Sequence, residues 1–202
     1  MDQLRKIADR FALDRFAIVG FSFGGTIAPA FTIAHPHRIS ALAILNSAYQ
    51  RTSEERAAVL SRAERVAREG PSSTIDEALV RWFTPDFAAS RPDVLQRIRN
   101  WIISNETEPY AAAYKLLAES DSDLVDRIAR IRCPTLVMTG ENDFGNTPEM
   151  TRKLAASIPG AKAVIIPRLR HMGLMEEPGS INAHLIPFLR SAFALQHPSA
   201  PA

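Results

Sequence analysis

Residues 15–25 read Arg15-Phe16-Ala17-Ile18-Val19-Gly20-Phe21-Ser22-Phe23-Gly24-Gly25, and the Ala-rich stretch Thr26 to His35 follows. Arg15 to Val19 is short, apolar and β-favouring, which predicts a buried strand. Thr26 to His35 reads as a helix. A serine in the pattern G-x-S-x-G, set between a strand and a helix, reads as a nucleophile elbow. So tight a turn holds the serine in a strained backbone conformation, and its neighbours must lack side chains where helix and strand approach. Ser22 Oγ would then project above the sheet at a helix N-terminus, where free N–H groups and the helix dipole favour an oxyanion.

On the N-terminal side, Met1 to Leu13 places Leu4, Ile7, Ala8 and Phe11 at helical spacing, with charged residues elsewhere on the wheel. On the C-terminal side, Pro36 and His37 end the elbow helix and Ile39 to Leu45 forms a second apolar strand. Pro29 removes a backbone donor inside the elbow helix and is expected to bend it. From Tyr49 to about Ile131 the character changes. Arg51 to Glu69 is charged and helical, Gly70-Pro71-Ser72-Ser73 breaks it, and helical patterns resume over Ile75 to Phe83, Pro92 to Asn105 and Pro109 to Ser120. This stretch holds both tryptophans and all three tyrosines and reads as a helical insertion that roofs a pocket.

The α/β rhythm then returns. Pro134 to Thr139 is a strand, and Gly140-Glu141-Asn142-Asp143 is the loop at its C-terminal end. Pro148 to Ile158 is a helix with Gly160 as its stop signal. Ala163 to Ile166 is a fourth strand, followed by Arg168-Leu169-Arg170-His171-Met172-Gly173. Glu177 to Phe193 is a last helix, and His197 to Ala202 reads as a frayed tail. The expected units are a core over 1–48, a helical cap over 49–131, a returning core over 132–195 and the tail 196–202.

Composition narrows the function classes. With 202 residues, 46% of them hydrophobic and 23% charged, the chain has an ordinary globular balance. A net charge of +2 gives no argument for nucleic acid or an anionic membrane. The five histidines are scattered without metal-binding spacing, so no metal is expected. Cys133 is the single cysteine and is expected to be a reduced packing residue. With no run long enough to span a bilayer and no signal peptide, a cytoplasmic protein is the expectation.

Ser22, Asp143 and His171 each follow a predicted strand, so all three should lie along one rim of a parallel sheet. A serine hydroxyl is a poor nucleophile near neutral pH, so a neutral imidazole must take its proton as attack proceeds. A carboxylate on Asp143 would hold that ring in the right tautomer. The first oxyanion donor would be the backbone N–H of Phe23. Asp143 could instead cap the following helix, although Thr147 before Pro148 is the better cap. Glu141 is a competing acid, and Asp121, Asp123 and Asp126 are weaker ones.

The motifs Gly20 to Gly25, Pro134 to Asp143 and His171 to Pro178 together resemble the α/β-hydrolase superfamily, across nearly the whole chain. The order Ser, Asp, His along the sequence is that superfamily's order. Within it, Arg81-Trp82-Phe83-Thr84-Pro85-Asp86-Phe87 and Tyr110-Ala111-Ala112-Ala113 are similar to the 3-oxoadipate enol-lactonase branch. The resemblance implies a small-molecule carboxylic ester or lactone substrate, a serine acyl-enzyme and no cofactor. A carbon–carbon hydrolase with the same triad is the alternative enzyme, and a capped pocket that binds without turnover is the alternative from another class. Phe21, Trp82, Trp101 and Met172 are candidate pocket residues by position. Leu169-Arg170 before His171 departs from the family's small residues there, and Arg168 and Arg170 would place positive charge at the pocket mouth, suited to a carboxylate.

The resemblance also implies strands that precede the elbow strand in the family and a loop among them that supplies the second oxyanion N–H. Only four strands can be counted here, at Phe16, Ile39, Thr135 and Ala163. The expected fold is therefore a partial α/β-hydrolase fold, a parallel sheet of about four strands with helices and a helical cap. The elbow strand would be a bare apolar edge, open to pairing in a homodimer, and one sheet face would lose covering helix.

Overall fold

The structure, a computed structural model, describes residues 2–194, the side chain of Asp121 excepted. The expected tail over 196–202, with His197, lies outside the described residues.

Four strands form one parallel sheet in the order β1-β2-β3-β4, with β1 Phe16–Phe21, β2 Ile39–Leu45, β3 Thr135–Gly140 and β4 Lys162–Ile166. They are the four expected strands. Every residue of β2 and β3 is buried, as continuous apolar runs with neighbours on both sides require. Alternate residues of β2 serve opposite faces. Leu42 and Ile44 pack with Ala28 of α2 (Phe23–Ala34) and Leu154 of α8 (Pro148–Ala156). Ala43 and Leu45 pack with Leu169 and with Ile181 of α10 (Pro178–Ala194), which follows the one-turn α9 (Gly173–Glu176).

β1 lies at the open edge of the sheet. The expected loss of cover is confined to this strand: Val19, on the α10 face, is 44% exposed, while α10 covers the same face of β2 and β3. α1 (Asp2–Arg10) buries Ala8 alone, leaving Ile7 and the following Phe11 exposed.

Between β2 and β3 run five helices, α3 (Ser53–Glu69), α4 (Ile75–Trp82), α5 (Pro85–Ser90), α6 (Pro92–Ile103) and α7 (Thr107–Val125). Thr52 and Glu55 close a reciprocal capping box at the start of α3, and Gly70 ends it at φ 84°. Two boundaries differ from expectation. Thr84 caps the unpredicted α5 by accepting from the Phe87 N–H, and Pro85 follows at the first helical position, where no donor is needed. α7 starts before Pro109 and runs past Ser120, because a proline in the first helical turn removes only an N–H that has no intrahelical partner. Among the described residues no helix is long and apolar enough to cross a membrane.

Cys133 is a partly buried free thiol. Burial pushes its pKa up, the opposite of an activated thiol.

Candidate active site

The strand register brings Phe21 beside Leu45 and Leu45 beside Met138, so the residues that follow β1, β2 and β3 share one rim. At that rim the chain passes from β1 into α2 through Ser22, whose backbone sits at φ 52° and ψ −115°. Its N–H donates to the Leu45 carbonyl at 2.8 Å, and its carbonyl accepts from the Gly25 N–H at 2.9 Å. The glycines around it are unequal. A Cβ on Gly20 would lie 2.2 Å from the Gly24 carbonyl oxygen, and one on Gly25 would lie 2.6 Å from Ser47 Cβ. A Cβ on Gly24 would meet open space. Gly20→Ala should therefore destabilise the fold by about 3 kcal/mol or more, whereas Gly24→Ala should stay within about 1 kcal/mol, on the stabilising side. Urea melts of the two variants test this; equal losses would mean that the elbow is not held by the Gly20 contact.

His171 lies in the loop that follows β4 and is 5% exposed. Its Nε2 is 3.0 Å from Ser22 Oγ, and its Nδ1 is 2.8 Å from Asp143 Oδ2. A carboxylate can only accept, so Nδ1 carries the proton and Nε2 keeps a lone pair facing the serine hydroxyl. Asp143 is itself 3% exposed and accepts at both oxygens. Oδ1 takes the backbone N–H groups of Gly145 and Asn146, each at 3.1 Å. Oδ2 takes His171 and, at 3.0 Å, the side-chain amide of Asn46. Burial alone would raise the Asp143 pKa. The hydrogen bond and charge of His171, with the bonds from Asn46 and the Asn146 amide, outweigh burial and hold it below the ordinary 3.8. Thr147 caps α8 by accepting from the Met150 N–H, which leaves Asp143 to this network. Glu141 is exposed and accepts the Arg168 N–H instead.

Asn46 and Asn146 were not anticipated. Asn46 is buried at φ 51°, a left-handed conformation that asparagine tolerates. Asn146 places its side-chain amide 3.1 Å from His171 Nδ1. The one sequence signal for the former is a polar pair, Asn46-Ser47, directly after an all-apolar strand.

Ser22 and His171 open on a cavity of about 250 Å³, walled also by Phe23, Trp82, Tyr110 and Tyr114. Phe23 is the first residue of α2, so its N–H belongs to the free N-terminal set of that helix. The expected pocket residues divide. The Trp82 ring lies 6.1 Å and the Phe21 ring 5.1 Å from the His171 ring, Phe21 packing on the α10 side rather than lining the cavity. Met172 is not in the lining: it packs into the apolar cluster of α4 and α6, and its N–H donates to the Trp82 carbonyl at 2.9 Å. Trp101 is 57% exposed on α6 and outside the lining. Arg170 also points elsewhere, donating to the Val80 and Phe83 carbonyls and lying over the Phe144 ring at 5.2 Å. The guanidinium groups that do line the cavity are those of Arg51, Arg62 and Arg81. Among the described residues no three His, Cys, Asp or Glu side chains converge as a metal site.

Comparisons with known proteins agree with this architecture. The chain is 31% identical, over 82% of its length, to an (E)-2-((N-methylformamido)methylene)succinate hydrolase of Acinetobacter baylyi. It is 26% identical, over 87% of its length, to 3-oxoadipate enol-lactonase 2 of the same organism. It spans 61% and 64% of the lengths of those two relatives. The enol-lactonase structure from Burkholderia xenovorans LB400 superposes with a TM-score of 0.86 at 29% identity, covering 93% of this chain and 70% of that one. The family described as alpha/beta hydrolase fold matches residues 2–178. That match takes in every strand described above and all three hydrogen-bonded residues at the rim, and the chain belongs to the α/β-hydrolase family.

Proposed function

We propose that the chain hydrolyses a carboxylic ester or lactone through an acyl-enzyme on Ser22. The observation that carries this reading is the unbroken line of hydrogen bonds from Ser22 through His171 to Asp143, opening onto a cavity. As Ser22 Oγ attacks the substrate carbonyl, His171 Nε2 takes its proton, and Asp143 stabilises the imidazolium. The oxyanion of the tetrahedral intermediate would sit at the α2 N-terminus, within reach of the Phe23 N–H. Collapse breaks the bond to the leaving oxygen, which departs with the proton from His171. Water then attacks the acyl carbonyl, losing its proton to His171, and the second collapse returns that proton to Ser22 as the acid leaves. The helices between β2 and β3 act as a cap that closes the cavity from above. Similarity to a succinate-derivative hydrolase and to enol-lactonases supports hydrolysis of a small oxygenated acid derivative.

A serine-directed fluorophosphonate tests the reading. The folded chain should take up one adduct, mapped by mass spectrometry to Ser22, with loss of nitrophenyl-ester hydrolysis. Folded protein that neither reacts nor hydrolyses esters would leave a pocket that binds without turnover.

A further inference from the structure

The cavity before Ser22 carries charge of one sign. Its lining includes Arg51, Arg62 and Arg81 and, among the described residues, no Asp or Glu. The helices set this up by spacing: Val59 and Arg62 share a face of α3, and Tyr110, Ala113, Tyr114 and Leu117 form one stripe of α7. The nearby carboxylate of Glu77 is committed to Arg65, which holds it with two bonds of 3.0 and 2.8 Å; Arg81 reaches it only at 4.0 Å. Arg51 donates to the Leu117 carbonyl at 3.1 Å.

Arg62 stands apart. It is partly buried, its Nε is fully buried, and among the described residues that Nε has no hydrogen-bond partner. Arg38 and Arg65 also have a bare Nε, but Arg38 gives one terminal nitrogen to Asp9 and the other to the Leu13 carbonyl, and Arg65 gives both to Glu77. For Arg62 no ion pair is formed among the described residues. Burial first, and then the charges of Arg81 and Arg51, push its pKa below the ordinary guanidinium value, yet a guanidinium stays charged in a protein. A buried cationic donor without an acceptor is costly unless an anion arrives to meet it.

We propose that Arg62, with Arg51 and Arg81, seats a free carboxylate of the substrate, so that the preferred substrate is an acidic ester or lactone. The proposal rests on the reading of Ser22 as the nucleophile and adds the chemistry of the far end of the substrate. A guanidinium fork matches a carboxylate with two parallel bonds, and the partly desolvated cavity strengthens them. A cavity of about 250 Å³ suits an acid of modest size.

The test measures kcat/KM for the nitrophenyl monoesters of succinate, glutarate and adipate beside nitrophenyl pentanoate, a neutral ester. Wild type should favour one of the acidic esters, and Arg62→Gln should lower the acidic-to-neutral ratio about 10- to 100-fold, with Arg62→Lys in between. An unchanged ratio in folded Arg62→Gln, or a wild type that favours the neutral ester, overturns the proposal. If Arg62→Gln does not fold, Arg62→Lys and Arg81→Gln carry the same comparison with the same two outcomes. If wild type hydrolyses none of the esters, the hydrolase reading fails separately, and titration calorimetry with glutarate and adipate decides the seat. Binding weakened at least about 10-fold in Arg62→Gln upholds it; no binding by folded wild type overturns it.

Discussion

Ser22→Ala is expected to lower kcat for ester hydrolysis by about 10⁴- to 10⁶-fold while leaving the fold in place. The side chain removed carries the oxygen that would form the acyl bond, and among the described residues no other hydroxyl or thiol lines the cavity except those of Tyr110 and Tyr114. Alanine at φ 52° is as strained as serine, so the elbow gains no relief, and the exchange loses one hydrogen bond to His171. Stability should therefore fall by about 1 kcal/mol at most. Whatever turnover remains would come from binding and oxyanion donors, which alone give roughly 10³–10⁴ over water in serine hydrolases. Paired kinetics and thermal melts check the prediction. A loss of less than about 10-fold in a folded variant would show that water is activated directly and that no acyl-enzyme forms.

Asp143→Asn is expected to cost about 10⁴-fold in kcat, with a signature in acid that a merely destabilised variant would lack. Both carboxylate oxygens face donors: Gly145 and Asn146 N–H groups on one side, His171 and Asn46 on the other. An asparagine must turn its NH₂ toward one of these pairs. Turned toward His171, it favours the tautomer whose Nε2 bears the proton and can no longer accept from Ser22. Turned toward the loop, it leaves two backbone N–H groups facing a donor, at about 1–3 kcal/mol each. The wild-type carboxyl is held below 3.8 in the folded state, so its stabilising contribution is complete above that value and is lost as pH falls through the depressed one. Asparagine binds no proton, so the wild-type advantage in Tm should hold near about pH 5 and shrink on acidification below 3.8. A gap independent of pH would mean that Asp143 is not ionised in the folded chain.

Much of this site was legible because it depends on strand ends. A G-x-S-x-G between an apolar strand and a helix, and an acid and a histidine after two later strands, are fixed by local pattern, and register then brings them together. Asn46 was not legible, since its role depends on a contact 97 positions away with Asp143. The arginines were misplaced for a related reason. Arg170 follows a strand and looked well sited, but two carbonyls of the intervening helices hold it outside the cavity. Arg62 lies on a charged amphipathic helix, where periodicity separates polar from apolar faces but cannot separate solvent from a polar cavity. Trp101 shows the complementary error: an aromatic residue in a roofing segment need not point inward.

The backbone of Ser22 has a bearing on how the chain divides its free energy. A non-glycine residue at φ 52° and ψ −115° costs on the order of 1–3 kcal/mol, against roughly 5–15 kcal/mol for the whole margin by which a domain stays folded. Glycine at that position would release the backbone strain and give up the hydrogen bond to His171, so the strain is the cost of keeping a hydroxyl there. A receptor that only enclosed its ligand would gain nothing from that sacrifice. Under the proposed hydrolysis, a chain that presents a hydroxyl to an imidazole would gain its chemistry from that strain, a trade of resilience for reactivity made at one residue.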